Sequence, residues 1–223
     1  MIFALFECPD GVETEPGPRI VYDLERESAH FGAARVAGPA LVWEVRPETV
    51  LVTDRHKVGG ALAAEPLREG ADRQIAEGGD RRIAEKHLVT DRHKGSSAVA
   101  VEVALESGSD WLVRCDRVDF PPGGVAHRHD HPGPGIRRLL FGELTIESEA
   151  GMQTYGAGEA WFEGVGYPVL ARASESEPTA FVRVLLLPPE WAGRRTIRYL
   201  DPADEEQPKL QQATVLLEEP LEP

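Results

Sequence analysis

The fold of this 223-residue chain is decided by residues 123–142, which read Gly-Gly-Val-Ala-His-Arg-His-Asp-His-Pro-Gly-Pro-Gly-Ile-Arg-Arg-Leu-Leu-Phe-Gly. Three histidines, His127, His129 and His131, alternate with other residues in this stretch. Side chains two positions apart on a β-strand point to the same face, so parity predicts that the three imidazoles face one side. Such a cluster is typical of a metal pocket, because neutral imidazole binds Zn, Fe, Cu and Ni.

The glycine spacing around these histidines resembles the first sequence motif of the cupin family. Gly123 precedes His129 by five intervening residues, and Gly142 closes the motif. Gly135 stands where the family carries a glutamate. Residues 158–173 are similar to the second cupin motif. The resemblance therefore covers both motifs, and what it implies about metal binding depends on the residues at their polar positions.

The second motif keeps its frame but not its polar residues. Gly158 and Gly166 match the family's glycines. Gly164 replaces the proline, Val169 replaces a metal-binding histidine, and Ala173 replaces the asparagine. Of the four usual ligands, the two histidines of the first motif are kept.

By this resemblance, His129 and His131 would bind a divalent transition metal, which is Fe, Mn, Ni, Cu or Zn. Two imidazoles alone make a weak site, since catalytic zinc takes three protein ligands. His127, by strand parity, and Glu163, at the end of a short strand, are the candidates for further ligands. His127, Glu163 and Tyr167 are also the candidate catalytic residues. The alternative is that Glu163 caps a turn and His127 faces solvent at the barrel mouth.

Short strands bounded by glycine and proline follow one another from residue 97 to residue 190. This pattern predicts an all-β fold, and the resemblance makes it a cupin-type jelly-roll β-barrel. Parity does not allow the adjacent Trp161 and Phe162 both to face inward. The predicted strands are 98–105, 111–120, 136–141, 144–147, 159–163, 169–173 and 180–187.

Residues 1–96 are predicted to be an N-terminal extension that adds strands to the barrel, with a rudimentary second barrel as the alternative. A loop or short helix is expected at about residues 58–90, which are rich in Ala, Glu and Arg. Residues 51–57 and 88–94 are identical, which indicates a local duplication and not a solenoid. The predicted strands here are 19–24, 40–45 and 49–53.

Residues 191–223 are predicted to be an acidic C-terminal tail. Residues 210–217 fit an edge strand, and exposed strand edges invite pairing with a second copy. Because twofold assemblies are the commonest closed oligomers, a homodimer is expected.

The composition indicates an ordinary globular protein with a formal net charge of −14. An acidic surface repels phosphate backbones, so nucleic-acid binding is not expected. The two cysteines form no disulfide framework. The apolar start is too short for a signal peptide, and no run approaches the length of a membrane helix. We therefore expect a cytoplasmic protein with no membrane partner.

Three functions fit these observations. The favoured one is a metal-dependent dioxygenase, isomerase or lyase acting on a small oxygenated molecule in the barrel, which the cupin resemblance implies. The second is a metal-independent cyclase or isomerase with His127 or His131 as the general base. The third is a metal-free small-molecule-binding or regulatory barrel, which the missing ligands favour.

Overall fold

The computed structural model describes residues 1–47, 97–105 and 110–221. The predicted strand at 49–53, the duplicated segments and the predicted loop or helix at 58–90 lie outside the described residues. The strands are β1 Ile2–Cys8, β2 Val12–Thr14, β3 Arg19–Asp23, β4 Ser28–Phe31, β5 Ala34–Val36, β6 Ala40–Arg46, β7 Ser97–Glu102, β8 Trp111–Phe120, β9 Val125–Asp130, β10 Gly135–Phe141, β11 Glu143–Ser148, β12 Gly151–Gly156, β13 Ala160–Glu163, β14 Val169–Ala173, β15 Thr179–Leu187, β16 Arg198–Tyr199 and β17 Gln212–Leu221. One turn of 3-10 helix, Pro189–Trp191, and one short helix, α1 Pro202–Glu206, lie between β15 and β17.

The barrel consists of two five-stranded antiparallel sheets. The first barrel sheet has the order β13-β10-β15-β8-β17, and the second has the order β12-β11-β14-β9-β16. Strands β8 to β15 are distributed between these sheets in the order of an eight-stranded jelly roll. The predicted fold class, an all-β jelly roll of the cupin type, is therefore confirmed.

The C-terminal residues belong to these sheets as well. Strand β17 pairs with β8 along its whole length, and β16 pairs with the end of β9. An edge strand was predicted at residues 210–217, and one is found at Gln212–Leu221. The barrel sheets thus continue beyond residue 190, because the free edges of β8 and β9 need hydrogen-bond partners.

A further sheet packs on the outside of the barrel. This N-terminal sheet has the order β4-β3-β6-β1-β7 and is separate from the two barrel sheets. Its inner face, with Leu5 and Trp43, shares a core with the outer face of the first barrel sheet, where Cys115 and Val184 lie. The Trp43 Nε1–H group donates a hydrogen bond to the Ile136 carbonyl at 3.2 Å.

The opposite face of the N-terminal sheet is buried too. Its apolar residues, among them Phe6 and Val42, pack under Val36 of β5 in a separate cluster. Strand β1 is central in this sheet, which explains why Ile2–Cys8 is apolar at nearly every position. In the part of the chain described, no helix is long and apolar enough to cross a membrane.

Candidate functional site

The two barrel sheets enclose a cavity of about 540 Å³, which lies within the range of small-molecule sites. One part of its wall is apolar. Trp161 anchors this part, stacked on Tyr155 at 4.6 Å and edge-on to Phe181 at 5.5 Å between ring centroids. The apolar lining of this part is Val118, Phe120, Ala126, Leu144, Ile146, Trp161, Ala171 and Phe181.

A β-bulge in β9 decides which histidines enter this cavity. Val169 of β14 is paired with His129, but Ala171 is paired with Ala126, so β9 contains one extra residue between these pairs. The extra residue shifts the alternation, and Ala126, His129 and His131 all line the cavity.

His127 lies outside the cavity because of this bulge. Its Nδ1 is 3.6 Å from Asp204 Oδ1 of α1, and the side chain is about one third exposed. The prediction that three imidazoles share one face is therefore wrong. The prediction requires side chains to alternate regularly along the whole strand, but the bulge interrupts this alternation between Ala126 and His129.

The two buried imidazoles are held by backbone carbonyls. His129 Nδ1 is 2.7 Å from the His127 carbonyl oxygen, and His131 Nδ1 is 2.9 Å from that of Thr196. Because a carbonyl can only accept, both Nδ1 atoms carry hydrogen, and Nε2 of each neutral ring is an acceptor. The rings lie edge-on to each other, with centroids 5.0 Å apart.

Glu163 is buried in the cavity wall, as is His131. Its Oε1 accepts a hydrogen bond from Trp161 Nε1–H at 2.8 Å. Its Oε2 is 2.7 Å from Nη2 of the fully buried Arg137 and 3.9 Å from His131 Nε2. The Arg137–Glu163 contact lacks hydrogen-bond geometry at Nη2, so the two are held together by charge.

A second buried ion pair lies beside the first. Arg183 donates to Asp116 Oδ2 from Nε at 3.0 Å and from Nη2 at 2.9 Å. The same guanidinium donates to Thr196 Oγ1 at 3.1 Å and contacts His131 Nε2 through Nη1 at 3.3 Å. His131 is thus enclosed by Arg183 on one ring nitrogen and the Thr196 carbonyl on the other.

Burial favours the neutral form of both cavity imidazoles. It lowers the pKa of His129, although the charge of Glu163 opposes the change. It lowers the pKa of His131 well below the usual value, and Arg183 and Arg137 act in the same direction. Burial also lowers the pKa of Arg137 to about 10, against the effect of Glu163, so this guanidinium is still charged at neutral pH.

The C-terminal strands form the remaining wall. Tyr199 of β16 is paired with His129 across the strands and lines the cavity. Arg114 of β8 donates through Nε to Glu218 of β17 at 2.5 Å, and its Nη1 and Nη2 donate to the carbonyls of Arg194 and Trp191. One side chain therefore fixes three points of the segment that follows β15.

The other predicted site residues are placed as follows. Tyr167 packs against the barrel core, donates its hydroxyl hydrogen to Ser148 Oγ at 3.2 Å, and does not line the cavity. Trp161 faces inward, whereas Phe162 packs in the core shared with the N-terminal sheet, as parity predicted. The structure therefore brings His129, His131 and Glu163 together, but not His127 or Tyr167.

Sequence reasoning missed the charged residues of the cavity. Arg183 stands among the apolar residues of β15, Arg137 is buried in β10 beside the outward-facing Arg138, and Arg114 and Asp116 share the inward parity of β8. A charged residue flanked by buried apolar neighbours is the signal for such a position, since charges are rarely buried without a partner. Tyr199 gave no such signal, because β16 is two residues long.

A divalent metal does not fit the donors as they stand. Where the first cupin motif has a glutamate, a Cβ atom on Gly135 would lie 2.8 Å from Arg137 Nη1 and 2.4 Å from Leu185 Cδ2. The space of that ligand is thus taken by a guanidinium, and Glu163 is already paired with it. Across the described ranges, no three His, Cys, Asp or Glu side chains are grouped to hold a metal ion.

Comparison with known proteins shows likeness in structure only. No model of a protein family matches the chain, and no curated protein matches it. Among solved structures, the polyketide cyclase RemF from Streptomyces resistomycificus is 21% identical, with a TM-score of 0.34 over 42% of this chain and 63% of that one. The DMSP lyase DddQ from Ruegeria pomeroyi is 22% identical, with a TM-score of 0.36 over 40% and 44%.

A cupin domain from Bordetella pertussis is 19% identical, with a TM-score of 0.30 over 45% of this chain and 92% of that one. The chain spans less than two thirds of the cyclase and of the lyase, and all three likenesses are too remote to bear on chemistry. The cupin resemblance is confirmed at the level of the fold by this chain itself. Its strands follow the jelly-roll order, and the motif glycines Gly123, Gly142, Gly158 and Gly166 all have positive φ.

Proposed function

We propose that this protein binds a small organic molecule in its barrel without a metal, with the apolar body of the ligand on Trp161 and its polar end among the buried charged groups. The observation that carries the proposal is the division of the cavity wall. Trp161 and Phe181 lie in an apolar part, and Arg137, Arg183 and His131 lie in a polar part. An apolar pocket with a few convergent polar groups is the usual form of a ligand site.

The polar groups are prearranged, which favours binding. Arg183 is held by Asp116 and Thr196, and Arg137 is held by Glu163 and by the Gly135 carbonyl, which accepts from its Nη1 at 2.6 Å. Side chains that are already fixed lose little conformational entropy when a ligand arrives.

A metal-dependent enzyme, which the cupin resemblance implies, is the second candidate. One observation favours it. Both cavity imidazoles donate Nδ1–H to a carbonyl, and this is the usual way in which metal-binding histidines are oriented. The neighbouring guanidinium groups of Arg137 and Arg183 disfavour it, because they repel a dication. The metal content of the purified protein distinguishes the two candidates.

Acid–base catalysis without a metal rests on His129. His127 lies outside the cavity, and His131 Nε2 already faces Arg183. His129 Nε2 has no hydrogen-bond partner within the described residues and is not among the enclosed, unpartnered atoms, so a ligand can reach it. A cyclase or isomerase of this kind would lose turnover in His129→Gln and keep its ligand affinity.

We also propose that the protein forms a homodimer through the exposed edge of β17. Sedimentation equilibrium would measure the oligomeric state. A cytoplasmic location is likewise a proposal.

The cavity proposal is tested by filling the apolar part. Ala171 lines the cavity, while its neighbour Arg172 on β14 is exposed. In ligand-observed NMR with a library of small organic acids, amides and alcohols, the unmodified protein and Arg172→Phe should show the same set of binders. Ala171→Phe should lose them while keeping the circular dichroism spectrum of the fold. If Ala171→Phe keeps all the binders, the ligands bind elsewhere and the proposal fails.

A further inference from the structure

We infer that the polar end of the ligand is a carboxylate, which the guanidinium groups of Arg137 and Arg183 hold. This inference rests on the proposed function, because it names the class of molecule that the cavity takes. It follows from three features of the cavity wall, which are the unused hydrogen-bond donors, the balance of charge and the position of the apolar surface.

The polar part of the cavity wall, around Arg137 and Arg183, has more free hydrogen-bond donors than free acceptors. Within the described residues, Arg183 uses four of its five N–H groups, two on Asp116 and one each on Thr196 and His131. Arg137 makes one hydrogen bond, to the Gly135 carbonyl. Its Nη2 is enclosed beside Glu163, whereas its Nε is neither paired within the described ranges nor among the enclosed atoms and is therefore within reach of a ligand. A carboxylate offers about four lone-pair sites in one plane, and this matches the fork of a guanidinium.

The acceptors on the wall are largely taken. Glu163 faces Trp161 through one oxygen and Arg137 through the other. Asp116 Oδ2 accepts twice from Arg183, and Asp116 Oδ1 is enclosed within the protein, away from the cavity space. A ligand that offers only donors would therefore find His129 Nε2 and little else, whereas a ligand that offers acceptors would find the guanidinium groups.

The charge of the lining favours an anion although the chain as a whole is acidic. Six basic side chains line the cavity against three acidic ones, in a chain of net charge −14. A cleft of one sign raises the local concentration of a ligand of the other sign. The basic residues are Arg114, Arg137, Arg183, Arg194, Arg195 and Lys209, and the acidic residues are Asp116, Glu163 and Glu218.

The buried pairs also limit the charge of the ligand. Arg137 is paired with Glu163, and Arg183 is paired with Asp116. The net charge of this polar part is therefore close to zero, which offers little to balance a dianion such as phosphate. A monoanion with an apolar body fits better, because Trp161 and Phe181 lie on the same cavity wall. The ligand class is thus an organic monocarboxylic acid with an alkyl or aromatic body.

The test compares matched pairs of carboxylates and amides on the full chain by isothermal titration calorimetry at pH 7.5. The probes are 3-phenylpropionate with 3-phenylpropionamide, and the C4 to C12 alkanoates with their amides. The inference predicts that the best carboxylate binds at least about tenfold more tightly than its amide. This preference should shrink as NaCl is raised from 50 to 300 mM, since salt screens charge.

Variants then locate the effect. Each guanidinium is removed together with its carboxylate, as R137Q/E163Q and as R183Q/D116N, so that no buried charge is left unpaired. Both double variants should reduce the preference for the carboxylate about tenfold or more. The matched control is Arg138→Gln, because Arg138 follows Arg137 on β10 but points out of the barrel to Glu7. It should keep the preference.

The outcomes separate this inference from the proposed function. Equal binding of a carboxylate and its amide by the unmodified protein overturns the carboxylate inference and leaves the cavity as a ligand site. Preference that survives in both double variants places the anion elsewhere and also overturns the inference. If no member of either series binds to the folded protein, the carboxylate inference falls, and the wider NMR library with Ala171→Phe still decides the proposed function.

Discussion

Arg137 Nη2 lies 2.7 Å from Glu163 Oε2, and both side chains are buried in the barrel wall. This contact places a guanidinium beside the two imidazoles that the sequence resemblance assigns to a metal. A paired, buried cation makes the neighbourhood unfavourable for a second cation, since like charges interact strongly where water is excluded.

The first prediction concerns metal content. We expect the purified protein to contain well under one equivalent of transition metal by inductively coupled plasma mass spectrometry. Treatment with a chelator should leave the melting temperature and ligand binding unchanged. One equivalent of tightly held metal, lost in a His129→Ala, His131→Ala variant, would contradict this prediction and support the metal-dependent enzyme.

The second prediction concerns pH. Burial lowers the pKa of His131 in the folded chain, while in the unfolded chain it is about 6.5. The contribution of His131 to the free energy of unfolding is therefore independent of pH above about pH 6.5. Below that value the unfolded chain takes up a proton that the folded chain does not, and the free energy of unfolding falls by up to about 1.4 kcal/mol per pH unit for each such histidine.

Urea unfolding at pH 7.5, 6.5 and 5.5 measures this slope. His131→Gln should reduce it, whereas His127→Gln, outside the cavity and partly exposed, should leave it as it is. A slope that His131→Gln does not change would show that another group is responsible.

The third prediction concerns the glycine at the place of the missing glutamate. Gly135→Ala should destabilise the fold by about 1–3 kcal/mol, the usual cost of overpacking. The added Cβ would lie 2.4 Å from Leu185 Cδ2 and 3.0 Å from the Val184 carbonyl oxygen. The control is Gly156→Ala, whose Cβ would meet nothing closer than Glu159 Oε2 at 3.6 Å. Thermal and chemical unfolding of both variants measures the difference, and equal stabilities would refute the prediction.

The fourth prediction concerns the segment after β15. Arg114→Met should cost about 1–3 kcal/mol, because Glu218 and the carbonyls of Trp191 and Arg194 would lose a shared donor. In Arg114→Met, hydrogen exchange should become faster in residues 191–221, whereas exchange in β10 should stay the same. Arg128→Met is the control, since Arg128 is partly exposed and its contact with Glu147 is long, at 3.7 Å. Exchange that is unchanged in Arg114→Met would mean that β17 is held by its pairing with β8 alone.

The barrel could be predicted from the sequence because its turns and its alternation are local. Gly142 adopts a φ of 79°, and a Cβ there would lie 2.5 Å from the Pro178 carbonyl oxygen, so this glycine is required by geometry that the spacing already signals. Strand Trp111–Phe120 was predicted at its observed bounds. In contrast, Ile2–Cys8 is buried on both faces and has no alternation from which to recognise a strand.

The site could be predicted only in part. The three candidates His129, His131 and Glu163 line the same cavity. His127 does not join them, because a bulge between Ala126 and His129 depends on pairing with β14, which local sequence does not show. The role of Arg137 and Arg183 depends on partners far along the chain, such as Asp116, which is 67 residues from Arg183.

The contact between Trp43 and Ile136 ties the floor of the binding site to the start of the chain. Arg137 follows Ile136 on β10 and lines the cavity, while the Ile136 carbonyl accepts from Trp43. Here β10 is the floor of the site, and the N-terminal sheet lies directly behind it. In a genetic screen for loss of ligand binding, substitutions should therefore appear among the first 46 residues, although these residues touch no ligand. The N-terminal sheet supports, through the shared core, the barrel strands that position the guanidinium groups.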